Sequence, residues 1–432
     1  MADYLVCASP IHGHVAPMAA IAAHLVQVGH RVTMLTGSRF GPDLESAGIE
    51  HLSLSGRADF DDRDPASYLP DRSRHRGLQR AQYEIQTIFV RTIPDQVHAL
   101  RAALGATRYD AVLVDSAFAG VLPLLLDPTS PRPPILMAGV LGLSQSSSDV
   151  APFGMGLQPS ASPWGRVRNR ALTVVAHRVL FRRTQQLAQR MLADVGSPPL
   201  DRFAMDLTSL PDRFLQLCVP QFEYPRRDLS ANVRFVGPVL SRSPSQVDRP
   251  GWWSDLGGDR PVVHVTQGTI DNADLGRLVR PTVEGLAADD VLVVVSTGGR
   301  PVVGLGDVPP NVRVAEYLPY DQLLPRTDVM VTNGGYGGVQ HALSHGVPLV
   351  VAGDTEDKPE VAARVRYAGV GVDLRTGTPS AEQVAAAVRG VLADRAVGDA
   401  ARRMAATIGR HDALAAIDQE LASAREHDRR RG

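Results

Sequence analysis

Short, valine-rich apolar runs alternate with helix-length segments along this chain, and the alternation occurs once in each half. The first half opens on Tyr4–Ala8, followed by a loop, Ser9–Val15, and then by Pro17, Met18, Ile21, Ala22, Leu25 and Val28 at helical spacing. Pro17 suits a first helical turn and Gly29 the stop before a second strand, Arg31–Leu35. Ala111–Val114 and Pro134–Ala138 extend the series. The second half repeats it with Pro261–Thr266, Val291–Ser296, Val312–Glu316, Val329–Thr332 and Val347–Val351. Runs without polar alternation need burial on both faces, and parallel strands joined by helices supply it. The expectation is α/β, with two doubly wound, Rossmann-like sheets facing each other across a cleft at their carboxyl ends, where such sheets bind ligands. Leu240–Gly251 is polar and holds two prolines, as an exposed linker does. The chain then divides into a first domain at 1–240, a linker at 241–258 and a second domain at 259–432, with the last helix free to pack back on the first. A length of 432 agrees, since single cores stop growing at about 250–300 residues.

Hydrophobic residues at 44% and charged residues at 21% are ordinary for a globular chain. Lys plus Arg number 45 against 46 Asp plus Glu, so no overall field draws nucleic acid or anionic lipid, and a small-molecule partner is expected. Cys7 and Cys218, both in apolar runs read as strands, are too few for a disulfide framework and fit a reducing compartment. No basic leader and no apolar run near ~18 residues is visible, so the expectation is a cytoplasmic protein with no transmembrane segment. The terminal cluster Asp428–Arg431 reads as a solvated end. Two stretches of the first half, Asp59–Arg80 and Leu141–Trp164, read as long loops. In the second, Phe153, Met155, Leu157 and Trp164, with the hydroxyls of Ser144–Ser148, are candidates to line a pocket for a large, partly apolar ligand.

The densest chemical signal is Val331–Leu343, a strand, a turn with Gly334, Gly335, Gly337 and Gly338, and a helix. Backbone without Cβ atoms can approach a ligand closely, and the unpaired N–H groups of a helix start favour an anion such as phosphate. Gly268 and Thr269 follow the first strand of the same half, and Tyr317 ends another strand, where an aromatic ring can stack on a base. Asp357, in the polar loop Gly353–Pro359, can accept hydrogen bonds from sugar hydroxyls or cap the following helix. In the first half the loop Ser9–Val15 offers His12 and His14 as a general base, and Asp115, ending the run Ala111–Val114, offers a carboxylate to orient an imidazole.

The segments Ser9–Pro17 and Tyr317–Gly371 together resemble the Gly-His loop and the donor signature of the inverting, nucleotide-sugar-dependent glycosyltransferases of GT-B architecture. The likeness covers nearly the whole length. It implies that His14, directly after glycine, is the base, with Asp115 as its partner. It implies a donor site of Gly268, Thr269, Tyr317, Asn333, Gly335, Gly337, Gly338, His341, Asp357 and Lys358. Four positions depart from the pattern: Asn333 replaces a phosphate-binding histidine, His341 a ribose-binding glutamate, Lys358 a sugar-binding glutamine and Tyr317 a tryptophan. The implied reaction moves a sugar, glucose from UDP-glucose first and dTDP-sugars next, to a hydroxyl of a macrolide, polyketide or flavonoid, without metal or cofactor, in a monomer or homodimer. The alternatives are a non-catalytic nucleotide-binding accessory protein and a hexosamine-type enzyme, either an epimerase or a lipid-linked N-acetylglucosaminyltransferase. A dinucleotide oxidoreductase would need Gly-x-Gly-x-x-Gly after the first strand, where this chain has Ser9-Pro-Ile-His-Gly-His14.

Overall fold

The computed structural model describes residues 1–127, 129, 131–240, 249–269 and 271–431. Residues 241–248 of the expected linker, and the side chains of the Asp428–Arg431 cluster, lie outside the described residues. Two parallel sheets carry the chain. The first holds β1 (Asp3–Cys7), β2 (Arg31–Thr36), β3 (Glu50–Ser53), β4 (Ala111–Asp115), β5 (Ile135–Gly139), β6 (Arg213–Gln216) and β7 (Val233–Phe235), in the order β3-β2-β1-β4-β5-β6-β7. The second holds β8 (Val262–Thr266), β9 (Leu292–Ser296), β10 (Val312–Ala315), β11 (Val329–Thr332), β12 (Leu349–Val351) and β13 (Gly371–Asp373), in the order β10-β9-β8-β11-β12-β13. Every residue of β4, β5, β8, β9 and β11 is buried, which is why these strands read as largely apolar runs, interrupted within β8 by the buried His264. In each sheet the strand order reverses beside the first strand, at β1/β4 and at β8/β11, and a crevice opens there at the carboxyl ends.

Each sheet is covered on both faces by apolar clusters. The C-terminal helix Ala413–Arg431 crosses to the first sheet, where Ile417 and Leu421 are fully buried with Leu25 and Met34. Cys218, Val219 and Phe222, from the first half, pack instead with Tyr336, Val339 and Val361 of the second. Among the described residues no helix is long and apolar enough to cross a membrane.

Three expectations change. Asp59–Arg80 is not an unbroken loop: it holds short helical turns at Pro65–Tyr68 and Arg72–Arg74 and the start of the helix Gly77–Ile85. Cys218 lies beyond the end of β6 rather than in a strand. The first helix runs His12–Gln27, so His14 sits in its first turn rather than in a loop, and Pro17 lies inside it. A carboxylate from a distant turn supports the early start. The His12 N–H donates to Asp62 at 2.6 Å, satisfying a helix-start donor that Ile11 cannot cap.

Candidate functional site

His14 and Asp115 meet at the β1/β4 crevice. Asp115 ends β4 fully buried, and its Oδ1 lies 3.0 Å from Nδ1 of His14. The same carboxylate accepts the Ala117 and Ser9 N–H groups, each at 2.6 Å, so the strand end and the two loops hold it in place. Burial, the largest influence, favours neutral His14, but the charge and hydrogen bond of Asp115 outweigh it, helped by Asp357 and Glu356, and the imidazolium pKa is raised. Nδ1 is committed to Asp115, which leaves Nε2 without a protein partner among the described residues. Phe89 packs beside the ring, with centroids 6.0 Å apart. The His12 imidazole has no hydrogen bond or ion pair among the described residues and is exposed. His14 and Asp115, more than 100 residues apart in the chain, are brought together; His12 and Asp115 are not.

The second sheet gathers the other candidates at β8/β11. The helix Tyr336–Ser344 starts at Gly335, so Gly337 and Gly338 form its first turn instead of a preceding bend. A Cβ on Gly335 or Gly337 would meet nothing within 4 Å, which leaves the N–H groups of that turn open to an approaching group. Gly334 differs: its φ is +89° and a Cβ there would lie 2.8 Å from Val351. Asn333 is buried, and its amide donates to the Gln267 carbonyl at 2.5 Å, tying the β11 loop to the β8 loop. Gly268, at φ +70°, lies beside Asn333, and Thr269 is exposed. Tyr317 stands two residues past β10, 62% exposed, its hydroxyl against Gly299. His341 stays neutral, its pKa lowered to about 4 by burial, and it packs edge-on to Tyr320, which in turn meets buried His264.

Asp357 occupies the N-cap position of the helix Lys358–Ala368 but makes no side-chain cap bond. Its Oδ2 is buried with no hydrogen-bond partner among the described residues, and burial raises its pKa despite Lys358. Lys358 pairs with Glu356, which holds a left-handed φ of 56°. Arg277 bridges this corner, contacting Asp271 at 3.0 Å and Asp354 at 2.5 Å. With Gln267, Asn333 and Gly353, it lines a small hollow between β8, β11 and β12. Nothing in its sequence neighbourhood set Arg277 apart, because its partners come from separate loops.

The Leu141–Trp164 loop has no regular element before Pro163 and is anchored on the second domain. Glu360 accepts the N–H groups of Gly154 and Gly156 at 2.9 and 2.8 Å, and Gln158 donates to the Ala363 carbonyl. Arg364, fully buried, binds Glu360 at 2.7 Å on one side and Glu223 at 2.7 Å on the other, with Phe153 over its guanidinium. A hollow in the first domain is lined by Phe153, Phe181, Phe203, Met205 and the segment Ser144–Ser147. Of the four apolar loop candidates, Phe153 is in this lining. Met155 and Leu157 are not, and Trp164 is 84% exposed in the first turn of the next helix, which Ser162 caps.

Residues 280–422 match the family model described as "Erythromycin biosynthesis protein CIII-like, C-terminal domain". Over 394 residues the chain is 41% identical to 4'-demethylrebeccamycin synthase of Lentzea aerocolonigenes, covering 90% of this chain and 92% of the relative. It is 36% identical to UDP-glycosyltransferase 2 of Phaeomoniella chlamydospora, covering 96% and 94%. Among solved structures, the glycosyltransferase of kitacinnamycin aligns with a TM-score of 0.73 at 24% identity, over 97% of both chains. The calicheamicin glycosyltransferase CalG4 aligns with a TM-score of 0.68 at 20% identity, over 98% of both. The facing sheets are thus a GT-B fold, and the chain belongs to the family of the UDP-glycosyltransferases and macrolide-type natural-product glycosyltransferases.

Proposed function

We propose that this protein transfers a sugar from a UDP- or dTDP-linked donor to a hydroxyl of an apolar natural product, in one displacement with inversion at the anomeric carbon. The observation that carries the reading is the buried His14–Asp115 pair, whose remaining nitrogen has no partner among the described residues. Nε2 of His14 takes the acceptor proton as the hydroxyl oxygen bonds to the anomeric carbon, and the bond from that carbon to the diphosphate oxygen breaks. Asp115 holds the imidazole tautomer and stabilises the imidazolium that forms. The leaving diphosphate is stabilised without metal by N–H groups at Gly335, Gly337, Gly338 and Thr269, a fixed arrangement that needs no reorganisation as charge develops. Tyr317 stacks on the base, and His341, as a neutral ring, bonds the ribose. Asp357, with its unpartnered buried oxygen, accepts from sugar hydroxyls. Lys358 stays with Glu356 and positions the Asp357 loop. Asn333 orders the β8 and β11 loops instead of contacting phosphate.

UDP-glucose is the first donor to test, since relatives at 32% identity are named UDP-glucosyltransferases A1 and B1 in Starmerella bombicola. A dTDP donor is second, since the similarly folded VinC and the spinosyn rhamnosyltransferase SpnG have been solved with thymidine diphosphate. We take the reaction to run in the cytoplasm, a reading supported by two buried cysteines left free. Calorimetric titration with UDP, dTDP, GDP and NAD, with and without magnesium, tests the donor site. Saturable, metal-independent binding of UDP or dTDP is expected; binding of NAD alone, or of none, would overturn the reading. The anomeric proton coupling in the product then reads inversion or retention.

A further inference from the structure

Helix Pro163–Val175 continues through a wider turn, Ala176–Leu180, and packs beside helix Arg182–Asp194. Its inward face buries Gly165, Asn169 and Ala176. The outward face of a surface helix is ordinarily polar. Here Trp164, Val167, Val174 and Val175, at spacings of three, ten and eleven, stand exposed on one side, and Val179, 67% exposed, extends the stripe by a turn. Seven arginines and no Asp or Glu lie between Pro163 and Ala193. Among the described residues Arg170, Arg178, Arg182 and Arg183 are exposed and in no ion pair. The neutral whole therefore hides a local concentration of positive charge around an apolar ridge.

We infer that this ridge is a docking surface for an anionic lipid membrane. A helix with an apolar ridge, flanking arginines and an aromatic ring of amphipathic character matches what lies in the plane of a bilayer interface. Arginine stems can lie along the apolar surface while their heads reach phosphate oxygens. A second copy fits poorly, because a two-fold contact sets the same patch against itself and would bring arginine against arginine. The position of the ridge has a consequence that rests on the function proposed above. Asn169 donates to the Ser148 carbonyl and Arg168 to the Gln158 carbonyl, so the docking helix is the support of the loop that carries Phe153. A docked enzyme holds that loop at the lipid surface, where an acceptor dissolved in the bilayer is concentrated.

The test is co-sedimentation of the full chain with vesicles of phosphatidylcholine containing about one third phosphatidylglycerol, and with vesicles of phosphatidylcholine alone. With about fivefold in partitioning for each arginine near an anionic surface, the anionic vesicles should bind at least ~tenfold better. High salt should remove most of that difference. Val167→Asp with Val175→Asp should cut binding at least ~tenfold while leaving the circular dichroism spectrum and melting unchanged, since both sites are exposed. If that pair unfolds, Arg170→Gln with Arg178→Gln replaces it and should weaken the lipid preference and its salt dependence. No binding, equal binding to both vesicles, or indifference to these substitutions would overturn the proposal. So would a dimer in light scattering that Val175→Asp dissolves, because the occupant would then be a second copy. Nucleotide titration on the same preparations reads the glycosyltransferase assignment separately.

Discussion

Nδ1 of His14 lies 3.0 Å from Oδ1 of Asp115, and Asp115 also accepts two backbone N–H groups, so the carboxylate cannot turn away from the ring. A neutral imidazole in that pairing carries its proton on Nδ1 and its lone pair on Nε2. Asp115→Asn keeps the shape but lets an amide donate to Nδ1, which places the proton on Nε2 and removes the base. His14→Ala should lower kcat at least ~100-fold, and Asp115→Asn by ~100-fold or more, with UDP or dTDP affinity unchanged in both. Steady-state rates beside calorimetric titrations check this. Near-normal turnover of His14→Ala would remove His14 from the role.

The raised pKa of His14 gives the acid limb of the pH profile a sign. The base acts only when deprotonated, so kcat/KM should fall as pH drops through a value above the ordinary ~6.5 of histidine. The same shift makes a stability contribution that is full below the unfolded pKa and lost as pH rises through the folded one. In Asp115→Asn the residual activity should inflect at lower pH than in the parent, because burial is then opposed only by the more distant Asp357 and Glu356. An unmoved inflection would mean that another group governs the limb.

Much of the fold was legible because burial on both faces writes itself into composition: β4, β8, β9 and β11 are buried throughout and read as apolar runs. Glu50–Ser53 and Val233–Phe235, edge strands with exposed or half-buried residues, carry no such signature. In the site, His14, Asp115 and the Gly335–Gly338 turn follow strand ends, a local pattern. The Asp62 bond that starts the first helix and the Glu360 bonds to Gly154 and Gly156 join residues far apart in the chain. Spacing does not encode those, and Glu360 and Arg364 went unmarked for that reason.

Arg364 is the sole cation bridging Glu360 and Glu223 among the described ion pairs, and all three side chains are almost fully buried. Arg364→Met would strip Glu360 of its cation and leave Glu223 with Arg226 alone, and should cost about 3–5 kcal/mol, read from the urea midpoint near neutral pH. Burial acts to raise the Glu223 pKa, but Arg364 and Arg226 more than offset it and hold it below the usual range. That depressed pKa contributes stability above the unfolded value, which is lost as pH falls through the folded one. In Arg364→Met the Glu223 pKa should rise, so the gap between variant and parent should narrow in acid. A gap independent of pH would point to lost packing instead of stranded charge.

Two neighbouring glycines separate ligand binding from folding. Gly337 lies exposed in the first turn of its helix with open space where a Cβ would stand, so the Cβ of Gly337→Val would meet no atom within 4 Å among the described residues. Its melting should stay within about 0.5 kcal/mol of the parent, as for a surface change. If the diphosphate sits on that turn, UDP or dTDP affinity should nevertheless fall at least ~tenfold, since the side chain occupies the approach to the N–H groups. Gly334→Ala is the opposite control. Its φ of +89° and the 2.8 Å approach to Val351 demand a shift of backbone or strand β12, at a cost of ~1–3 kcal/mol. Calorimetry and melting of the two variants side by side should therefore show affinity lost without stability at Gly337 and stability lost at Gly334. Full affinity in Gly337→Val would take the diphosphate off this helix start.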